Sequence, residues 1–472
     1  MYSLLSIILL LSGIIIGVVV IRGASKQQPD LFSMRNLFLA GLLVFQYTSG
    51  IIALLLPDQY NPYAIADRRI PGLKYTFLLI LFTLAFFAIY RSGFIARRIV
   101  SFTKARQIHA NWMTLLTLSV TFFLLGLLCR FALVYIPYVG IYTFQLGATF
   151  FALSAGLAAW AWMPRLFNPL PMIVSAVVVL GGLAVFFSDS FGRRDILGLG
   201  LAFIWGAYHS QWQYMPFRKL IIRFALMATV GLVFLSAYTS TRYSLGGKIE
   251  SLGDRVRVLA EADMKQGLAD LFSGQHAASY SMYFLDTRPH VIEYDTLHSI
   301  KLFFVLPYPR SMWPEKPDAL ALTSVSEIND AGRPKGWNIG PGLVGHMAND
   351  NPFIALPLYA LILAVFLRFT DEMITKHSRD PFVVLPMGVA LGQVIAIPRG
   401  ELATFFGKTL LYLVAGWIAM QIVSRALQLF SPNKDKAMPI PDYDSDCGDP
   451  QYDPEEYDSY HSDSHHDATY PY

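Results

Sequence analysis

Residues 4–21 read LLSIILLLSGIIIGVVVI, eighteen positions without one charged side chain, followed directly by Arg22. A helix rises 1.5 Å per residue, so ~20 apolar residues carry it across ~30 Å of bilayer hydrocarbon. No basic region precedes the run, so it is expected to remain as a membrane span rather than to be cleaved as a signal peptide.

The same pattern recurs. Apolar runs at 37–56, 75–90, 113–135, 141–162, 172–187, 196–212, 220–238, 352–369, 382–397 and 402–422 bring the expected spans to eleven. The run at 196–212 is the weakest, being short with polar residues at its far end. Helices are expected because an open strand edge in lipid would leave backbone groups unpaired. Across all 472 residues, 54% are hydrophobic and 15% charged, with a mean hydropathy of +0.44. A soluble chain carries about a quarter charged residues. The fold class predicted is therefore an all-α polytopic membrane protein with about eleven transmembrane helices.

Short loops on one side of these spans hold eighteen Lys and Arg, including Arg91, Arg97, Arg98, Arg218, Arg368 and Lys376; those on the other side hold six. The basic side is expected to be cytoplasmic. That places the N-terminus outside and the C-terminus inside. The net charge of +4 reflects this topology signal and points to no nucleic-acid partner; the bilayer itself is the expected one.

Four regions follow: spans one to eight over 1–238, a large outer loop with short helices over 239–351, spans nine to eleven over 352–425, and a tail over 431–472. The loop holds an amphipathic stretch at 252–271 and an apolar stretch at 300–307 that is too short to span. The tail is acidic and rich in Tyr, Ser and His, so disorder is expected. Its His461, His465 and His466 read as a solvated segment rather than a metal site, and no metal is expected elsewhere. Cys129 and Cys447 lie too far apart in the pattern to pair.

Chemistry-bearing residues cluster on the outer side. The turn 188–195 (SDSFGRRD) carries Arg193 and Arg194, whose planar forks suit phosphate oxygens; an Arg–Asp pair in a solvated hairpin is the equal alternative. Residues 306–317 (LPYPRSMWPEKP) set Arg310, Glu315 and Lys316 beside Tyr308 and Trp313. Aromatics beside cations suit sugar stacking and phosphate clamping, and slightly better an interfacial anchor. Residues 332–342 (GRPKGWNIGPG) carry Arg333 and Trp337 and lead to His346, Asn349 and Asp350. The turn 397–401 (IPRGE) carries Arg399 and Glu401, which could pair with each other.

The order of these groups resembles the bacterial O-antigen and exopolysaccharide repeat-unit polymerases and the related O-antigen ligases, over residues 180–425. The strongest likeness is PRSMWPEKP at 309–317, similar to the family's PRSxWPxKP segment. The outer arginine turn, the glycine-rich stretch and Arg399-Gly400 are similar too, while the acidic tail lies outside the family pattern.

The resemblance implies a multispan inner-membrane glycosyltransferase with a large periplasmic loop. It would join undecaprenyl-diphosphate-linked oligosaccharide units, with a chain-length regulator and a flippase as working partners. It implies no nucleotide sugar, metal or other cofactor. The departing diphosphate needs cations, for which Arg194, Arg310 and Arg399 come first and Arg193, Arg333 and Lys316 second. His346 is the expected general base, with Glu315 or Asp350 behind it. Tyr308, Trp313 and Trp337 would stack on sugars.

Three other readings stand beside this one, among them a non-enzymatic scaffold or sensor with the acidic tail as its cytoplasmic output. A ligase would pass finished glycan to another acceptor with the same donor chemistry. A transporter or flippase should show mid-span charges or repeated broken helices; Arg130 is nearly alone inside a span, and no repeat is visible.

Overall fold

Every element among the described residues is a helix. The computed structural model describes residues 1–26, 31–56, 65, 67–103, 111–136, 140–188, 193–244, 252–272, 276–310, 312–327 and 340–430. The chain divides into two compact units, Met1–Gln421 and Ile422–Tyr472. The acidic tail, Cys447, Arg333 and Trp337 lie outside the described residues; Cys129 is buried with a free thiol.

The long helices are α1 (Tyr2–Lys26), α2 (Met34–Leu55), α3 (Arg69–Ser92) with its short continuation α4 (Phe94–Ser101), α5 (Trp112–Phe131), α6 (Gly140–Trp162), α7 (Pro169–Ser188), α8 (Arg193–Ser210) and α9 (Phe217–Ser244). Five short helices fill the segment that follows: α10 (Leu252–Ala260), α11 (Met264–Phe272), α12 (Ala277–Thr287), α13 (His298–Val305) and α14 (Leu320–Glu327). Then come α15 (Gly342–Asn349), α16 (Pro352–Lys376), α17 (Pro381–Gly388), α18 (Leu391–Val394) and α19 (Leu402–Phe430). The amphipathic stretch 252–271 is thus two helices. They part at Asp263, whose Oδ1 accepts from the N–H groups of Lys265 and Gln266 at 3.0 and 3.1 Å and caps α11.

Among the described residues, nine helices are long and apolar enough to cross a membrane. The protein is therefore polytopic and all-helical. Two of the eleven expected spans fall outside that nine: α8, and the broken segment formed by α17 and α18. Both are interior. All of α17 and α18 is buried. Trp205 and Tyr208 of α8 are fully buried, and the Trp205 indole donates to Val384 O at 2.9 Å.

Their direction follows from contacts at the ends. The N–H of Leu402 meets His346, so the starts of α16 and α19 lie at one end of the bundle. α16 leaves that end and finishes at Lys376, and the chain from Pro381 to Gly400 must return over the same length. α8 also runs end to end, with Arg194 against Phe405 at its start and Tyr208 against Phe32 near its finish. A helix shielded from lipid has no need of a continuous apolar surface, which explains the polar residues of α8.

Packing inside the bundle uses small residues and reciprocal polar contacts, as expected where burial from lipid gives little hydrophobic gain. Ser119 Oγ donates to Ser154 O and Ser154 Oγ to Ser119 O, at 2.8 and 2.6 Å, locking α5 to α6. A Cβ at Gly206 would overlap Gly156 O, so glycine sets how closely α8 approaches α6. The central helix α6 is 78% buried over its apolar window, whereas α9 is 17% buried. Ile222, Leu226, Val230 and Val233 of α9 accordingly face outward.

Candidate functional site

Elements carrying Arg194, Arg399, His346 and the base of the Arg310 loop touch the first turns of α19. One feature begins in α2, where a π-helical segment at Leu43–Thr48 interrupts the regular helix; such bulges recur where a helix must aim a side chain. Buried Gln46 uses the displacement to donate to Pro398 O at 2.6 Å and accepts from the Tyr75 hydroxyl at 3.0 Å. Leu343 N–H donates to the same Pro398 oxygen at 3.0 Å. At Gly342, φ is +70° and any Cβ would overlap the Gln46 amide, so only glycine fits this crossing. The turn holding Arg399 is thereby fixed from two sides.

His346 and Asp350 occupy a fully buried network beneath that turn. A backbone N–H can only donate. The Leu402 N–H at 3.1 Å from His346 Nε2 therefore makes Nε2 the acceptor, and Nδ1 carries the hydrogen toward Ser299 Oγ at 2.8 Å. Glu401 stands 3.7 Å from Nε2 and accepts the Ala321 N–H at 2.9 Å. It does not close on Arg399. Asp350 accepts from Ser299 N–H at 2.8 Å, from Asn349 Nδ2 at 2.9 Å and from the Tyr359 hydroxyl. These bonds tie α13, α14, α15, α16 and α19 together. Leu297 opens α13 at φ +61°, a costly conformation for a branched side chain that surrounding contacts must enforce.

The consequence for chemistry is direct. His346 has its lone pair engaged by the α19 backbone, and Asp350 has three donors. Neither is reachable by a substrate hydroxyl in this arrangement. Glu315 is exposed on the loop above.

That loop is closed by its own basic residues. Arg310 pairs with Asp318 and donates to Lys316 O at 3.1 Å. Lys316 Nζ donates to Leu306 O and Tyr308 O at 3.0 and 2.9 Å. Burial, then the neighbouring Arg310 charge, lowers the Lys316 ammonium from its ordinary range. The loop base rests on α19: the Phe303 ring packs at a tilt of 45° against Phe406 with centroids 5.7 Å apart, and Leu306 lies against Gly407. Tyr308 and Trp313 remain exposed, at 53% and 40%.

On the other flank of α19, the Arg194 guanidinium lies 3.9 Å from the Phe405 ring centroid. Asp195 accepts from Gln393 Nε2 at 3.2 Å and from the Tyr412 hydroxyl at 3.1 Å. The same hydroxyl contacts Gln145 Oε1 at 2.6 Å. Lys408 acts electrostatically on both Arg194 and Asp195 and makes no hydrogen bond among the described residues. A cleft lined by Ala148, Ala152, Arg194, Asp195, Gln393 and Tyr412 has room for about one water molecule. Arg399 lies over Phe45 at 5.6 Å. The structure describes the Arg193 backbone, as the first residue of α8, but not its side chain.

Arg194, Arg399 and the base of the Arg310 loop thus converge on the segment from Gly400 to Lys408. Sequence reasoning missed Lys408, Tyr412, Gln393, Ser299 and Tyr359, each a polar residue within an otherwise apolar or unremarkable run. The metal-ligating residues form no group of three or more among the described residues. No protein-family model, curated protein or solved structure matches this chain.

Proposed function

We propose that this protein is a membrane glycosyltransferase that joins oligosaccharide units carried on a polyprenyl diphosphate, at the non-cytoplasmic face of a bacterial inner membrane. The observation that carries this reading is the cationic corner at the start of α19. Arg194 and Lys408 both act on Asp195 in a largely buried setting, and the Lys408 ammonium makes no hydrogen bond among the described residues. Such a corner favours an anion, and a lipid diphosphate brings its charge to this depth.

The proposed topology has eleven crossings, with α8 and the α17–α18 segment counted as two of them. The N-terminus is outside and the C-terminus inside, and residues 239–351 form the periplasmic loop. In the proposed reaction the acceptor hydroxyl attacks the anomeric carbon of the donor, the glycosidic bond to the diphosphate breaks, and the diphosphate leaves with the bonding electron pair. Arg194, Lys408 and Arg399 offset the charge that develops on it. Glu315 is the carboxylate with access to the acceptor proton. His346 holds the frame in place. Exposed Tyr308 and Trp313 offer faces for sugars.

The test is purified full-length protein given lipid-linked repeat units and no nucleotide sugar. Longer lipid-linked glycans are expected, and unchanged repeats overturn the proposal. Deletion in the source cell separates polymerase from ligase. Single repeats accumulate if a polymerase is lost, and long polymer on the lipid carrier accumulates if a ligase is lost.

A further inference from the structure

At the end of the bundle opposite His346, three arginines converge on the turn from Tyr90 to Gly93. Arg35 and Arg368 place their guanidinium carbons 5.2 and 5.1 Å from the Tyr90 ring centroid. Gly93 has φ +53° and separates α3 from α4; a Cβ there would lie 3.0 Å from Arg368 Nε and 3.4 Å from Arg97 Nε. The absence of that Cβ is what lets two guanidinium groups approach across the turn.

The local partners do not balance this charge. Arg368 pairs with Glu372, Arg97 donates to Ser92 O, and Arg35 Nε donates to Asn36 Oδ1 at 3.0 Å. Asp371 accepts from the Tyr90 hydroxyl at 2.8 Å and from two backbone N–H groups. Among the described residues, three cations therefore face two carboxylates. Arg368 Nε is buried and has no hydrogen-bond acceptor among the described residues.

The surroundings are apolar and outward-facing. Along α3, Phe77, Leu81 and Leu84 are exposed, and beyond Gly93 the exposed side chains include Phe94 at 67% and Phe102 at 79%. The opposite side of α4 is anchored: Val100 packs on Met373 and Val383, and Lys376 donates to Val100 O at 2.9 Å. Exposed apolar side chains thus lie along α3 before the arginine cluster and on α4 beyond it.

We infer that this corner binds the phosphate of an anionic membrane phospholipid. The forks of Arg97 and Arg368 suit phosphate oxygens, and acyl chains would lie along the exposed faces of α3 and α4. A soluble phosphate would gain nothing from those faces. The site is remote from the start of α19, so its failure leaves the glycan-joining proposal untouched.

The experiment uses detergent-purified full-length protein and its Arg97→Gln variant, with lipids retained under native mass spectrometry as the readout. Arg97 is exposed, so the variant should fold. Phosphatidylglycerol is expected to be retained in preference to phosphatidylcholine. Arg97→Gln should weaken that preference about fivefold, the effect of one basic residue at an anionic surface. Equal retention of the two lipids, or an unchanged preference in the variant, overturns the site. Displacement of phosphatidylglycerol by millimolar sodium phosphate would show a soluble-anion site and overturn the lipid assignment.

Discussion

The backbone N–H of Leu402 donates to Nε2 of His346 at 3.1 Å, joining the first residue of α19 to a fully buried imidazole on α15. The bond fixes the tautomer and makes His346 a positioning residue. His346→Ala should lose this contact and the one to Ser299, destabilising the protein by roughly 2–4 kcal/mol through an unpaired N–H and a cavity. His346→Gln, whose carbonyl can still accept from Leu402, should recover part of the loss. Thermal unfolding in detergent measures both. An Ala variant that unfolds normally yet makes no polymer would instead return His346 to the chemistry.

Lys408 and Arg194 make a different prediction, because their charge and not their packing is at stake. Lys408→Ala should suppress polymer formation at least tenfold, with protein level unchanged, if a departing diphosphate uses this charge. Lys408→Arg should retain a measurable fraction. Arg194→Lys should be poor, since a point charge does not replace a fork lying over Phe405. Wild-type chain length in Lys408→Ala would remove the corner from the reaction.

These residues also show how far the sequence could be read. The long lipid-facing helices were legible because bilayer thickness imposes length and composition on them. The interior was legible in part: 196–212 and 382–397 read as helical runs, but their screening from lipid by neighbouring helices, which lets α8 carry Asp195 and His209 and α17–α18 break, did not show in composition. The arginine turn, the PRSMWPEKP loop and Arg399 stood out by composition. Their convergence on Gly400–Lys408 did not, because it depends on contacts such as Gln46 with Pro398, 352 positions apart in the chain. Arg399 and Glu401 looked like partners, being two residues apart; in the fold Glu401 turns to the Ala321 N–H.

Arg310 closes the loop whose base rests on α19 through Phe303 and Leu306. Its guanidinium closes the turn by binding Asp318 and the Lys316 carbonyl. Arg310→Ala is expected to abolish polymer formation with protein level unchanged, since the half-exposed loop contributes little to global stability. Arg310→Lys should also be poor, because one ammonium cannot hold both partners with fixed geometry. Polymer of normal length from Arg310→Ala, measured on glycan gels, would show that neither the loop's closure nor its charge is needed.

Asp371 presents a purely structural case at the other end of the bundle. The first four N–H groups of any helix lack partners inside it. In α2, Asp371 of α16 supplies two of them, accepting from Met34 and Arg35 at 2.8 and 3.2 Å. Ser33, the N-cap residue, supplies a third, its Oγ accepting from Asn36 at 3.2 Å, and its carbonyl begins the regular helical bonds by accepting from Leu37 at 3.1 Å. A carboxylate at this position also meets the positive end of the helix dipole. Asp371→Ala leaves two buried donors and the Tyr90 hydroxyl unpaired, which should cost about 3–5 kcal/mol. Asp371→Asn keeps one acceptor oxygen and should cost less. If the unfolding midpoint of Asp371→Ala matched the wild type, α2 would be held by its packing alone, and the cap supplied from α16 would have no energetic role.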